Sequence, residues 1–176
     1  MCLLSLEIQL GVCYREIELI QKIYFQDKGD ALCIKRYLSP LDGSPLAEAV
    51  IPHAKALAKS EGAEIVILRV PDLPAADLFS RNPAIANKIV EDMEIETDKY
   101  LQDEVEKLSK EGVKVSSLIR EGPVPDTILA VAEETHADVI AMSTHGRTGV
   151  QRWLMGSVAD RVVHYSHIPV MLIHPN

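Results

Sequence analysis

The sequence predicts an α/β protein with an open, doubly wound, five-stranded parallel sheet of the Rossmann-like type and helices on both faces. From Cys33 onward, short β-rich runs alternate with longer segments of helical periodicity, which is the pattern of βαβ units. The run 64–70 is almost wholly apolar, as a strand buried between two layers of helices must be. We divide the 176 residues into an N-terminal extension, 1–32, with helical spacing at 16–25, and one α/β domain, 33–176.

Local signals predict the first strand and helix. The run 34–38 gives the first strand, and the helix after it begins where Ser44 serves as N-cap and Pro45 takes the first helical position. Gly62 is the expected end of that helix, because glycine readily adopts the left-handed conformation of a C-terminal cap. Pro52 falls inside the helix and is expected to bend it.

The remaining strands and helices alternate along the chain, and glycine or proline separates most of them. The predicted strands are 64–70, 113–119, 138–142 and 168–173, and the predicted helices are 84–110, 125–136 and 157–165. The long helix is expected to bury one apolar face. That face comprises Ile89, Met93, Tyr100, Val105 and Leu108. Right-handed crossovers between the five strands then give the open, doubly wound arrangement.

Composition restricts the partners and the location. The chain has 18 Lys and Arg against 26 Asp and Glu, a net charge of −8, which argues against a nucleic-acid partner. No stretch reaches the roughly 18 uncharged apolar residues of a membrane span, and the start lacks the basic region of a secretory signal. Cys2, Cys13 and Cys33 have no metal-ligand spacing. We therefore expect a cytoplasmic protein with reduced thiols, no membrane and no nucleic acid.

Two glycines mark the candidate ligand site. In a sheet of this kind, ligands bind outside the carboxyl ends of the strands, where the strand order reverses. Gly146 follows the fourth strand, and Gly156 precedes a helix whose first residue is Ser157. Glycine lets a ligand approach the backbone, and the unpaired amides of a helix start suit phosphate. The spacing fits equally well with glycines that only turn the chain and begin the helix.

Four stretches of the sequence resemble the universal stress protein family, and the likeness extends over about 34–174. These stretches are 40–44, 143–149, 156–162 and 168–173. ATP-binding members of that family carry Gly, two residues, Gly, nine residues, and Gly followed by Ser or Thr; this sequence supplies Gly146, Gly156 and Ser157 at that spacing. Ser143 replaces the first glycine, where its side chain either crowds the ligand or donates to a phosphate. Because serine is small, we expect binding to be retained.

The resemblance implies an ATP site, with Mg²⁺ as an ion that accompanies the triphosphate. The residues implied for this site are Pro40, Leu41, Asp42, Val70, Met142, Ser143, Gly146, Arg147, Gly156, Ser157 and Val158. The backbone of Leu41 and Val70 is implied to frame the adenine, and Met142 and Ser143 to flank the nucleotide. The residues implied to hold the phosphates are Gly146, Gly156, Ser157 and Val158. Asp42 is implied to approach the ribose or a phosphate-bound cation, although Asp at this position is also an ordinary turn residue.

The apolar sequence of the last predicted strand indicates a protein partner. Pro169 to Ile173 is an apolar run that would leave an adhesive edge on a monomer. The resemblance implies that this strand pairs with its symmetry mate, so a C2 homodimer is expected. An edge covered by the N-terminal extension is the alternative.

Efficient catalysis is not expected, and no catalytic or metal-binding residues are assigned. We find no Ser/His/Asp arrangement, no paired carboxylates and no Walker lysine, and Arg147 and Arg152 taken singly fit solvated side chains. The leading hypothesis is a dimeric, ATP-binding stress-response regulator. One alternative, which Ser143 favours, is an interaction module of the same fold with an empty pocket. The other is a slow ATP hydrolase in which His145 or Asp42 orients water.

Overall fold

The computed structural model describes residues 34–71, 76–144 and 155–174. The predicted extension 1–32 lies outside them. Within these ranges the chain forms five strands and six helices. They are β1 (Arg36–Pro40), α1 (Pro45–Glu48), α2 (Ile51–Glu61), β2 (Glu64–Arg69), α3 (Ala76–Arg81), α4 (Pro83–Lys110), β3 (Lys114–Ile119), α5 (Val124–Glu134), β4 (Val139–Ser143), α6 (Ser157–Tyr165) and β5 (Val170–Ile173).

The five strands form one sheet in the order β3-β2-β1-β4-β5. Every neighbouring pair runs parallel. The first strand therefore lies at the centre, the chain builds outward through β2 and β3, and it then crosses to the other side for β4 and β5. The predicted open, doubly wound sheet is confirmed, and the strand order reverses between β1 and β4. This point is where such folds bind ligands.

Alternating side chains of the strands form two hydrophobic cores, one on each face of the sheet. On one face, Tyr37 of β1 and Ile67 of β2 lie in a buried cluster with residues of α2 and α4. On the other face, Leu38 and Leu68 lie in a second cluster with residues of α5 and α6. Burial on both faces explains why β2 and β4, the two neighbours of β1, are mostly apolar. It also fixes each strand's orientation, because shifting the register by one residue would exchange the two cores.

The single helix predicted between Ser44 and Gly62 is two helices. The start is as predicted, since the Ser44 hydroxyl accepts from the Ala47 N–H at 3.1 Å and Pro45 is the first helical residue. Pro52 occupies the first turn of α2, because a proline has no N–H to continue the ladder from α1. Gly62 ends α2 as predicted, with φ +69° in the left-handed region. The expected bend is therefore a helix break.

The long helix α4 is more exposed than its pattern predicts. Its 28 residues span about 42 Å, whereas the six residues of β2 span about 20 Å. Its first half therefore has no strand beneath much of it, and Ile89, expected in the core, is 37 % exposed. Farther along, Leu101 and Leu108 are buried against the sheet. The helix α3, which precedes it, occupies a segment that the sequence predicts as a loop.

The outermost predicted strand is shorter than expected at its start. β5 begins at Val170, two residues after the predicted boundary. The Ser166 hydroxyl donates to the Ile168 carbonyl at 2.7 Å and accepts from the Ile168 N–H, which holds this part of the chain in a turn. The Pro169 carbonyl accepts from Ile140 of β4 at 3.0 Å, so the connection to the sheet begins just before the strand.

Candidate functional site

The start of α6 lies against the end of β4. The Gly156 N–H donates to the Thr144 carbonyl at 2.8 Å, and the Thr144 N–H donates to the Ile173 carbonyl at 2.9 Å. These bonds bring Gly156 and Ser157 to the carboxyl edge of the sheet, beside Ser143. Two of the stretches singled out in the sequence are thereby brought together at the point where the strand order reverses.

The Gly156 N–H is already hydrogen-bonded to the Thr144 carbonyl. We therefore revise the prediction that Gly156 itself binds phosphate through this N–H. The amides that follow it belong to the first turn of α6, where backbone N–H groups have no partner within the helix. The N-cap residue is Gly156, which has no side chain to cap this turn. The donors facing outward are therefore those of the first helical residues, Ser157 and Val158, rather than that of Gly156. Ser157 is exposed and Val158 half-buried.

The conformation of Gly156 does not require glycine. Its φ of −61° and ψ of 149° are ordinary extended values that any residue adopts. Gly62, in contrast, has φ +69°, which side chains rarely tolerate. Turning the chain therefore explains the glycine at Gly62 but not the one at Gly156. The other reason for a glycine at this position is that it has no Cβ, so another group can approach its backbone closely.

The turn between β1 and α1 holds Asp42 by local bonds. One Asp42 carboxylate oxygen accepts from the Ser44 N–H at 2.9 Å, and Gly43 between them has φ +75°. Asp42 thus does act as a turn residue, as its second interpretation predicts. It lies at the carboxyl end of the central strand, where the implied ribose or cation contact also requires it to be.

The backbone of Leu41 is engaged by the protein. Its N–H donates to the Leu68 carbonyl at 2.9 Å, and its carbonyl accepts from the Arg69 guanidinium at 3.3 Å. The Leu41 N–H is therefore not available to an adenine. Val70 and Met142 lie at the carboxyl ends of β2 and β4, on either side of β1, and are buried in the core of the α5 and α6 face.

Arg69 is a residue of this edge that the sequence analysis missed. It is the last residue of β2, and a Cβ on Gly43 would lie 3.9 Å from both terminal guanidinium nitrogens. The sequence analysis considered the residues after each strand, whereas Arg69 still belongs to its strand. The signal was the alternation along β2: Ile65 and Ile67 face α2 and α4, so residue 69 faces the same side.

Ser143, which replaces the glycine of the ATP-binding pattern, is buried. Its side chain follows Val139 and Ala141 in the strand alternation and so faces α1 and α2 rather than the open edge. The hydroxyl has no hydrogen-bond partner among the residues that the structure describes. In this structure the side chain therefore neither crowds the edge of the sheet nor presents a donor to it. Pro40, at the end of β1, is half-buried.

Several candidate residues lie outside the described ranges. Among them are Gly146 and Arg147 of the implied site, and His145 and Arg152 of the alternatives. In the described parts of the chain, no group of three or more His, Cys, Asp or Glu residues could hold a metal ion. No helix there is long and apolar enough to cross a membrane.

A separate cavity of about 240 Å³ lies between the end of β3 and α4. Its lining includes the carboxylates Glu94, Asp98 and Glu121, together with apolar side chains such as Ile119. Negative side chains repel phosphate, so this cavity does not suit a nucleotide. The start of α6 does, because its amides and the helix dipole present partial positive charge.

Comparison with known proteins identifies the family of this chain. The model of the Universal stress protein family matches residues 34–174. The chain belongs to the universal stress protein family. Universal stress protein MJ0577 of Methanocaldococcus jannaschii is 34 % identical over 152 residues, which cover 79 % of this chain and 94 % of that protein.

Solved structures of this family share the fold. The structure of MJ0577 superposes with a TM-score of 0.72 at 27 % identity, covering 82 % of this chain and 99 % of that one. A universal stress protein from Archaeoglobus fulgidus in complex with dAMP superposes with a TM-score of 0.57 at 22 % identity, covering 80 % and 97 %. The second likeness extends to the fold alone, and its ligand is a property of that protein.

Proposed function

We propose that this universal stress protein binds an adenine nucleotide, ATP, at the carboxyl edge of the sheet between β1 and β4. We further propose that it acts as a homodimeric, cytoplasmic regulator in the response to stress rather than as an efficient enzyme. The observation that carries the nucleotide site is the start of α6. This helix has a glycine as its N-cap residue, and the Gly156 N–H bonds the helix start to the end of β4, next to the point where the strand order reverses.

The phosphates are the part of the ligand that this geometry suits best. The first-turn amides of Ser157 and Val158 are backbone donors with fixed direction, and the Ser157 hydroxyl adds a third donor. The nine-residue helix also contributes partial positive charge at its start. Gly156 leaves room for a phosphate to come close, which its ordinary backbone conformation does not otherwise explain.

The remaining contacts are assigned by the family pattern together with position. Asp42 would approach the ribose or a Mg²⁺ ion carried in by the triphosphate, and Val70 and Met142 would line the base. Leu41 would contribute apolar contact, since its N–H is bonded to β2. The remaining residues of the proposed site are Pro40, Ser143, Gly146, Arg147, Gly156, Ser157 and Val158. The dAMP complex of a relative supports an adenine nucleotide as the class of ligand.

The most direct test is the small molecule that the protein carries. Purified protein, denatured and analysed by mass spectrometry, is expected to release an adenine nucleotide, and calorimetry is expected to show binding of ATP with Mg²⁺. Gly156→Val should abolish detectable binding while the protein stays folded, because φ −61° accepts a side chain. Lys35→Val is the control, since Lys35 is exposed at the amino end of β1, at the opposite end of the sheet from the site.

The outcomes separate the alternatives. No released nucleotide, together with no heat from ATP and Mg²⁺, would contradict the proposal and leave an interaction module with an empty pocket. A slow hydrolase would show single-turnover phosphate release that is lost in His145→Ala or Asp42→Ala. Phosphate release that survives both substitutions would eliminate that version of the enzyme.

The homodimer is proposed through the last strand. β5 is an edge strand, bonded to β4 on one side, and Val170 and Met171 are only half-buried. A second copy pairing along Pro169 to Ile173 would cover this edge. Light scattering after gel filtration is expected to give a dimer for the wild type and a folded monomer for Met171→Glu. Ser117→Glu, on the opposite edge strand β3, is the control and should stay dimeric; a monomeric wild type would contradict the proposal.

A further inference from the structure

Arg69 reaches across the turn that joins β1 to α1. Its Nη1 donates to the Leu41 carbonyl at 3.3 Å, and its guanidinium lies 3.9 Å from the position of a Cβ on Gly43. The residue is half-buried at the end of β2. The guanidinium is therefore in contact with the turn that carries Asp42, although Arg69 belongs to a different strand.

The charge of Arg69 also reaches the helices behind this turn. Burial raises the pKa of Tyr100 on α4, the hydrogen bond to Glu48 on α1 raises it further, and the positive charge of Arg69 opposes both. The Tyr100 hydroxyl donates to Glu48 at 3.0 Å. The guanidinium thus lies on the face of the sheet where α1 packs, beside the turn that precedes that short helix.

Two of the bonds in this turn are local. Asp42 accepts from the Ser44 N–H, and the Ser44 hydroxyl accepts from the Ala47 N–H, so these bonds move with the turn. Gly43 between Asp42 and Ser44 has φ +75° and the conformational freedom of glycine. The Leu41 N–H is bonded to the Leu68 carbonyl, and the bond from Arg69 to the Leu41 carbonyl is a second tie between the start of the turn and β2. A charged donor makes this second bond stronger than a neutral donor would.

We propose that Arg69 is a positioning residue of the nucleotide site: by holding the Leu41 carbonyl, it fixes the turn that presents Asp42 to the ribose of the ligand. The inference rests on the proposed function above. It assigns Arg69 an effect through the turn and no contact with the phosphates. Removing the guanidinium should therefore weaken every ligand that uses the turn by a similar factor, whatever its number of phosphates.

The test compares ligand affinities of substituted full-length proteins. Arg69→Met keeps the apolar stem and removes the donors; it is expected to weaken ATP about tenfold, the loss typical of one charged hydrogen bond. Adenosine, measured by displacement of ATP, should weaken by the same factor. Arg69→Lys keeps one donor and should recover part of the loss. Arg36→Met is the control, because Arg36 is the first residue of β1 and donates to the Thr135 carbonyl at the opposite end of the sheet.

A double-mutant cycle separates positioning from general stability. Arg69→Met and Asp42→Asn should lose less together than the sum of their separate losses, because both act on the same turn. Additive losses, a loss confined to ATP, or unchanged affinity in Arg69→Met would each overturn the inference and leave the proposed function standing. A wild type that binds no adenine nucleotide would instead overturn the proposed function itself.

Discussion

The two ends of the sheet differ in how their polar groups are hydrogen-bonded. At the amino end, side chains close the strand ends. One carboxylate oxygen of Asp138 accepts from the N–H groups of Lys35 at 2.7 Å and of Arg36 at 2.9 Å. Arg36 also pairs with Glu64. These polar groups at the amino end are thus bonded within the protein, and their bonds stabilise the fold.

At the carboxyl end, donors and space are left for something else. α6 begins without a side-chain cap, and Gly156 is a glycine that its backbone conformation does not require. Under the proposed function, one end of the same sheet serves stability and the other serves binding. Substitutions at the two ends should therefore separate these properties.

The largest effect on stability is expected from Asp138→Ala at the amino end. Two backbone N–H groups lose their acceptor, which should lower the free energy of unfolding by about 2 kcal/mol. Urea denaturation measures this loss, and Asp138→Asn, which keeps one carbonyl oxygen, should lose less. Affinity for ATP should be unchanged; a parallel loss of affinity would contradict the separation of the two ends.

Next in size is a pair of glycine substitutions. Gly62→Ala should destabilise the protein by about 1 kcal/mol, because a side chain at φ +69° is strained, although nothing lies within 4 Å of the new Cβ. Gly156→Ala, at φ −61°, should cost little stability but weaken ATP. Thermal melting and calorimetry on both variants test the contrast, and equal stability losses would refute it.

A smaller effect, of opposite sign, is expected from Ser143→Ala. Removing a buried hydroxyl without a partner should raise the free energy of unfolding by up to about 1 kcal/mol. Affinity for ATP should not change, since the side chain faces α1 and α2. A clear drop in affinity would show that this hydroxyl donates to the ligand after all. Ser39→Ala, at the other buried hydroxyl without a partner, is the matched variant.

The smallest effect should come from the ion pair between Lys55 and Glu111, 2.5 Å apart on the surface of α2 and just after α4. The hydrogen bond from Lys55 lowers the pKa of Glu111. The stabilisation is therefore present above the unfolded pKa of about 4.3 and is lost as the pH falls through the lower folded value. Lys55→Met should lower the melting temperature slightly at pH 7 and not at pH 2. A difference that persists at pH 2 would exclude the charge as its cause.

Local signals predicted the fold well because each rests on a few neighbouring residues. Ser44 caps the start of α1 and Gly62 ends α2, both as predicted, since caps depend on side-chain and backbone chemistry within one turn. The prediction that Ile89 lies in the core was wrong, because the burial of this side chain depends on how far α4 extends beyond the strands. Arg69 and the Gly156 N–H were missed for the same kind of reason, since each bonds a residue distant in sequence.

The central position of β1 has a consequence for synthesis. Asp138, which closes the end of this strand, follows Arg36 by 102 residues, and β4 comes directly after it. At about 5–20 residues per second, a ribosome needs roughly 5–20 s to make that span. During this interval β1 can pair with β2 only, and its other side waits for a neighbour that has not yet been translated. The nascent chain is therefore most open to wrong pairing along the strand that later lies deepest in the domain.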